Sequence, residues 1–207
     1  MSVVDQGRIG EMPGSDAGIQ PISLTKQGAL KVGDRHARYY EAVYRGNVFW
    51  ASPGSQALTV NGSGAMTGLA LTNPSGSGKN FVILDAAVAL ASAPAGISTL
   101  VIGLHSTPIA THTTPIPGQP INALIVNSAP KGASQALVDS AWTPPATATV
   151  IRGVGGGPVA TGSVTSPFMR DEVAGLITLG PGTSIVILCL TTAITVVPTL
   201  YWEEVPI

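Results

Sequence analysis

Gly180-Pro181-Gly182-Thr183-Ser184-Ile185-Val186-Ile187-Leu188-Cys189-Leu190-Thr191-Thr192-Ala193-Ile194-Thr195-Val196-Val197-Pro198 is the stretch on which the fold class turns. It is uncharged, mostly apolar, and almost long enough to span a membrane. Yet Pro181 and Pro198 bracket it, Thr191, Thr192 and Thr195 interrupt it, and no Lys or Arg flanks the end of the run. A spanning helix wants about 18 or more consecutive apolar residues. β-Branched residues between turn signals want strands. The stretch reads as two adjacent buried strands, and no membrane is expected among the partners.

Working outward, short apolar runs recur between turn signals. They predict strands near 57–60, 66–72, 80–91, 98–105, 121–126, 147–154, 173–179, 183–191 and 194–204. Asn73-Pro74-Ser75-Gly76-Ser77-Gly78, Ala93-Pro94-Ala95-Gly96 and Gly180-Pro181-Gly182 mark turns between them. Tyr39 to Trp50 has strand composition, and Asn127–Val138 has room for one short helix. Eight or nine short strands without alternating helices predict an all-β chain, a two-sheet antiparallel β-sandwich of jelly-roll-like form. Phe81-Val82-Ile83-Leu84 reads as buried on both faces, which implies a sheet whose outer face meets another subunit.

The charges are lopsided. Eleven of the 21 Asp, Glu, Lys and Arg residues lie between Asp5 and Arg45, and only ten follow. None occurs from Ala86 to Pro130 or from Val173 to Trp202. A free domain keeps roughly a quarter of its residues charged, so this chain is expected to pack against other protein. Gly7, Gly10, Pro13, Gly14, Gly18, Pro21, Gly28 and Gly33 punctuate the first residues too often for a long helix. The organisation expected is an extended N-terminal arm, 1–37, and a β-sandwich domain, 38–207. Net charge is −1, so no basic field exists to gather nucleic acid. Met1-Ser2-Val3-Val4-Asp5 has no basic flank before an apolar core, so no signal peptide is expected. The single cysteine, Cys189, sits in an apolar run and reads as a buried, inert thiol.

Catalytic signals are poor. Gly76-Ser77-Gly78-Lys79 is half of a phosphate loop, but Asn73 and Asn80 stand where Gly and Ser or Thr are needed, so a hairpin turn is preferred. Gly153-Val154-Gly155-Gly156-Gly157 fits no dinucleotide fingerprint and reads as a flexible loop. His105 and His112 flank a Thr- and Pro-rich loop, with Asp85 and Asp139 at least 20 residues away in sequence. The adjacent pairs Asp171-Glu172 and Glu203-Glu204 point to opposite faces of a strand and read as solvated or interface charges. Asn61-Gly62-Ser63 reads as a turn. No catalytic residue, metal ligand or cofactor is therefore expected. The strongest cluster is Asp34-Arg35-His36-Ala37-Arg38-Tyr39-Tyr40-Glu41, followed by Tyr44-Arg45, because Tyr and Arg dominate buried contact patches. With the basic residues of the arm it gives a partner interface of Arg8, Lys26, Lys31, Arg35, Arg38, Tyr39, Tyr40, Tyr44 and Arg45.

Three stretches carry a resemblance: Arg35 to Gly46, Leu71 to Asn80, and the terminal Trp202-Glu203-Glu204-Val205-Pro206-Ile207. Together they resemble virion structural proteins of tailed bacteriophages, of the kind that decorate or cement the capsid. The resemblance runs from about residue 5 to the end. It implies a non-enzymatic β-sandwich, a homotrimer, made in the bacterial cytoplasm and bound to the outside of a shell of major capsid protein. Two other roles are compatible with the residues: a fibre or tail module that binds glycans through Trp50, Trp142 or Tyr201, and a head–tail connector or tail component.

Overall fold

The computed structural model describes residues 6–7, 20–21, 38–92, 95–121, 133–157 and 168–207. The chain divides into a first unit, Met1–Tyr40, and a second, Glu41–Ile207. In the first, β1 (Gln6–Gly7) and β2 (Gln20–Pro21) form an antiparallel pair. The rest of the expected arm, residues 1–5, 8–19 and 22–37, lies outside the described residues. So do residues 122–126 of the strand expected at 121–126 and the first part, 127–132, of the possible helix.

The second unit is an all-β, two-sheet antiparallel sandwich. One sheet holds β5 (Met66–Asn73), β7 (Ser98–His105), β8 (Thr111–Ile116), β10 (Leu137–Thr143), β11 (Thr149–Gly157) and β14 (Thr183–Cys189) in the order β11-β7-β14-β5-β10-β8. The other holds β3 (Val48–Ala51), β6 (Lys79–Leu90), β9 (Gln119–Pro120), β12 (Phe168–Asp171) and β15 (Ile194–Pro206) in the order β12-β6-β15-β3-β9. There β13 (Ile177–Leu179) also pairs with β6, and β4 (Gln56–Leu58) with β15.

The two strands of the opening stretch exist, but they lie in different sheets. Residues 190–193 carry the chain from β14 to β15 across the end of the sandwich. The glycine-rich 74–78 segment likewise links β5 to β6 in the opposite sheet, which corrects the hairpin expected there. Buried Asn73 anchors this crossing by donating from Nδ2 to the carbonyls of Lys79 and Leu179, at 2.8 and 2.9 Å.

β15 alternates without a fault: Ile194, Val196, Pro198, Leu200, Trp202 and Glu204 are buried, and the residues between them are half-buried. The Glu204 N–H donates to the Asn47 carbonyl on the β3 side. Pro198 has the same parity, so its missing donor faces the gap between β4 and β3, where no pairing is lost. The inter-sheet core packs Leu69, Leu71, Ile102 and Ile187 against Phe81, Val196, Leu200 and Trp202, with Phe49 stacked on Trp202 at 6.1 Å.

A second buried cluster, Met66, Ala70, Val101, Ile109, Trp142, Ala148, Val186 and Leu188, covers the other face of the six-stranded sheet. Residues 106–110 run from β7 over three strands to β8, and 144–148 return from β10 to β11. Ile109 and Ala148 seal that face, and the Ile109 N–H donates to Ser184 Oγ at 3.2 Å. The approach is close enough to need glycine: a Cβ on Gly103 would stand 2.9 Å from the Ala148 Cβ. Double-sided burial of this sheet therefore has an internal cause, and this face needs no second subunit to cover it. Phe81 to Leu84, read from the sequence as buried on both faces, lies instead on β6 of the other sheet, where Phe81, Ile83 and Leu84 are buried and Val82 is half-buried.

Three other expectations are corrected. Tyr39 to Trp50 is not one strand but holds α1 (Tyr40–Tyr44) followed by β3. Gly46, at φ 78°, ends the helix in a left-handed cap, its N–H bonded to the Val43 carbonyl and that of Asn47 to the Ala42 carbonyl. The Thr- and Pro-rich segment flanked by His105 and His112 is a loop only over residues 106–110; Thr111 and His112 already belong to β8, an edge strand that is mostly exposed and carries Pro115, both marks of a protected edge. The glycine-rich 153–157 segment is the second half of β11, bulged twice against β7.

Ile109→Ala in the isolated chain is expected to cost about 3 kcal/mol in urea unfolding, the penalty of a core cavity. A cost within error of zero would show that the crossing segment does not close that face.

Candidate functional site

The predicted interface is only partly visible. Arg8, Lys26, Lys31 and Arg35 lie outside the described residues. Arg38, Tyr39 and Tyr40 end the first unit, and Tyr44 and Arg45 open the second. The Arg38 guanidinium stands 5.7 Å from the centre of the Tyr39 ring, within cation–π range. Tyr40 is 42% exposed, Arg45 is exposed and Tyr44 is half-buried.

A second cluster was not assembled by sequence reasoning. The parity of β15 turns Tyr201 and Glu203 to the outward face of the seven-stranded sheet. Trp50 of β3 pairs with Tyr201, and Tyr201 pairs with Asp85 of β6, so the three form one row. Asp85 is on this face because of a β-bulge. Phe81 and Ile83 point inward, the ladder slips between Ile83 and Asp85, and Ala86 and Val88 point inward beyond it. Without the bulge Asp85 would enter the core. The turn before β13 holds the bulge: Ala174 N–H donates to the Leu84 carbonyl and Gly175 N–H to the Ile83 carbonyl, each at 2.8 Å. Ala174 takes φ 54° to do so, a left-handed conformation that costs a residue with a Cβ.

Arg170 of β12 completes the row. Its Nε and Nη2 both lie 2.5 Å from Asp85 Oδ2. Those bonds, then the charges of Asp85, Glu172 and Tyr201, hold the guanidinium above its ordinary pKa. Asp85 Oδ1 is buried without a hydrogen-bond partner. Trp50 is 37% exposed, whereas Trp142 and Trp202 are 1% and 0%. Trp142, one of the three aromatic platforms named from the sequence, is thus a core residue. Burial raises the Glu203 carboxyl above its ordinary pKa.

Two other polar groups are internal. Glu204, expected as a solvated or interface charge, is 1% exposed because strand parity turns it inward. Its Oε2 meets Lys79 Nζ at 2.8 Å, and its Oε1 accepts from Ser134 Oγ at 2.6 Å and the Gln135 N–H at 2.9 Å. His112 Nδ1 stands 2.5 Å from Oδ2 of Asp139, which is 0% exposed. Twenty-seven residues separate the pair in sequence, and only the β8–β10 pairing joins them. Among the described residues no group of three or more His, Cys, Asp or Glu could hold a metal ion, and no helix is long and apolar enough to cross a membrane. Cys189 is buried, which raises its thiol pKa. Asn61 is the polar clamp of its turn, its side chain bonded to both the N–H and the carbonyl of Ala148.

Compared with family models, curated proteins and solved structures, the chain matches none.

Burial pushes the Asp139 carboxyl above its ordinary pKa, while the His112 hydrogen bond and charge pull it down. A carboxyl raised on folding supports the fold while protonated and loses that contribution as pH rises through the raised value. Asp139→Asn, neutral throughout, is expected to gain stability relative to the native chain as pH rises from the ordinary aspartate value through the raised one, read from unfolding midpoints. A pH-independent difference would contradict it. For His105, whose pKa burial lowers, stability is instead lost as pH falls below the ordinary imidazole value. Ala174→Gly is expected to stabilise the chain by about 1 kcal/mol in the same assay by relieving the left-handed alanine. No gain would remove the strain assigned to that turn.

Proposed function

We propose that this chain is a non-enzymatic structural protein of a tailed-phage virion, seated as a jelly-roll-like homotrimer on the outside of the capsid. Its partner is the major capsid protein, whose subunits it bridges. One observation carries the reading: the sandwich uses its few charges on itself. Of the ten charged residues after Arg45, six stand in ion pairs, Lys79 with Glu204, Arg152 with Asp171 and Arg170 with Asp85, and a seventh, Asp139, is bonded to His112. Each pair ties two strands together. Meanwhile Ile97, Leu176 and Ile207 are 68%, 77% and 75% exposed. A surface poor in free charge and bearing open aliphatic side chains suits a protein that lives packed in an assembly.

The arm residues and Arg38, Tyr39, Tyr40, Tyr44 and Arg45 add the contact chemistry, since aromatic and Arg side chains concentrate binding energy. Bridging raises shell stability by mass action, because the protein binds assembled subunits and not separated ones. The resemblance noted in the sequence supports the same role.

Particles made with and without the protein test this. The expected result is a copy number that scales with the shell subunits, and heads that burst at lower temperature when it is missing. A few copies at one vertex, with heads of unchanged stability, would assign it to the connector or tail.

A further inference from the structure

We propose that the outward row Trp50–Tyr201–Asp85–Arg170 is a binding site for an uncharged oligosaccharide. The row is built, not incidental. A β-bulge turns Asp85 out of the core, and a left-handed alanine holds that bulge. Strain of this kind collects where a side chain must be aimed.

The chemistry of the row fits a sugar. Trp50 and Tyr201 are cross-strand neighbours, so two rings lie side by side on a sheet face, able to pack on the C–H faces of pyranose rings. Asp85 is 9% exposed, and its Oδ1 lacks a partner. A hydroxyl is a donor of the right size for that oxygen. Arg170, its side chain 59% exposed, lies over Asp85 and offers the remaining guanidinium donors to a neighbouring hydroxyl. With strands about 4.8 Å apart, the row from β3 to β12 spans roughly 14 Å, the length of two or three sugar units. Beside it, Ala87, Ala89, Val197 and Thr199 leave a low floor on the outward face.

Charge selects among ligands. Glu172 and Glu203 accompany the Asp85–Arg170 pair, so among the described residues the row carries one cation among three carboxylates. That repels nucleic acid and anionic glycans, whose binding needs an excess of Lys and Arg.

The site stands apart from the virion reading, and the two are measured separately. The protein is applied to an array of neutral bacterial-surface and storage glycans, then titrated in solution with maltohexaose, cellohexaose and chitohexaose. Tryptophan emission is the readout, since Trp50 is the open indole. The proposal expects saturable binding to at least one neutral glycan. Trp50→Ala, Tyr201→Ala and Asp85→Asn should each weaken it by about tenfold or more, with Trp50→Phe and Glu203→Gln close to native. Unfolding midpoints of each variant separate lost binding from lost fold. No retained glycan, binding confined to sulfated or phosphorylated glycans, or binding indifferent to Trp50→Ala would overturn it. Loss of capsid attachment in Trp50→Ala without any glycan bound would also overturn it, giving this face to a protein partner.

Discussion

The ladder between β15 and β6 sets the geometry of everything else. It runs from Val196 opposite Leu90 to Pro206 opposite Lys79. A strand has a side-chain period of two, so one register decides which face every residue of β15 serves. That parity sends Leu200 and Trp202 into the core and Tyr201 out beside Trp50. It also carries Glu204 inward, an unfavourable place for a carboxylate. The chain answers with Lys79, Ser134 and the Gln135 N–H rather than by changing the parity. On β6 the opposite solution appears: a bulge shifts the phase, and the charge leaves the core.

Double-sided burial explains part of the charge distribution. The charge-free stretches, Ala86 to Pro130 and Val173 to Trp202, contain β7 and β14, two strands of the sheet that is packed on the core and crossed by residues 106–110 and 144–148. A strand buried on both faces has no position for a solvated charge. Lack of charge in those strands thus follows from the fold and says little about partners. What the fold does not explain is the pairing of the charges that remain and the exposure of Ile97, Leu176 and Ile207. The case for an assembled protein rests on those features.

Fold class was legible because long strands announce themselves. Residues 194–204 of β15 alternate cleanly, and β14 is a continuous apolar run between turn residues. Sheet membership was not legible: β14 and β15 look like neighbours in sequence and face each other across the core. The one-turn helix α1 was hidden by aromatic strand formers, although Arg45-Gly46-Asn47 carries the glycine of a helix end. β8 was hidden by its exposed edge, and β10 by a register shift between Asp139 and Ala141 that breaks its alternation. Trp50 and Tyr201 were named from the sequence as aromatic platforms, but their place in one outward row with Asp85 and Arg170 escaped for a related reason. Trp50, Asp85, Arg170 and Tyr201 come from four separate segments, and a bulge, which no periodicity predicts, turns one of them outward.

The three buried carboxylates show how structural and functional polar groups differ. Glu204 has donors on both oxygens, so it is complete and serves only to tie β6 and the 134–135 segment to β15. Asp139 leaves Oδ1 without a partner, but it is wholly enclosed, and His112 is the side chain that reaches it. Its incompleteness is a cost borne inside the six-stranded sheet. Asp85 also leaves Oδ1 empty, yet it lies on an outward face, under an exposed arginine and beside an aromatic pair. An unfilled acceptor deep in a sheet only weakens the fold. The same acceptor beneath an exposed surface side chain lies where a ligand can approach it, which is the role proposed for Asp85.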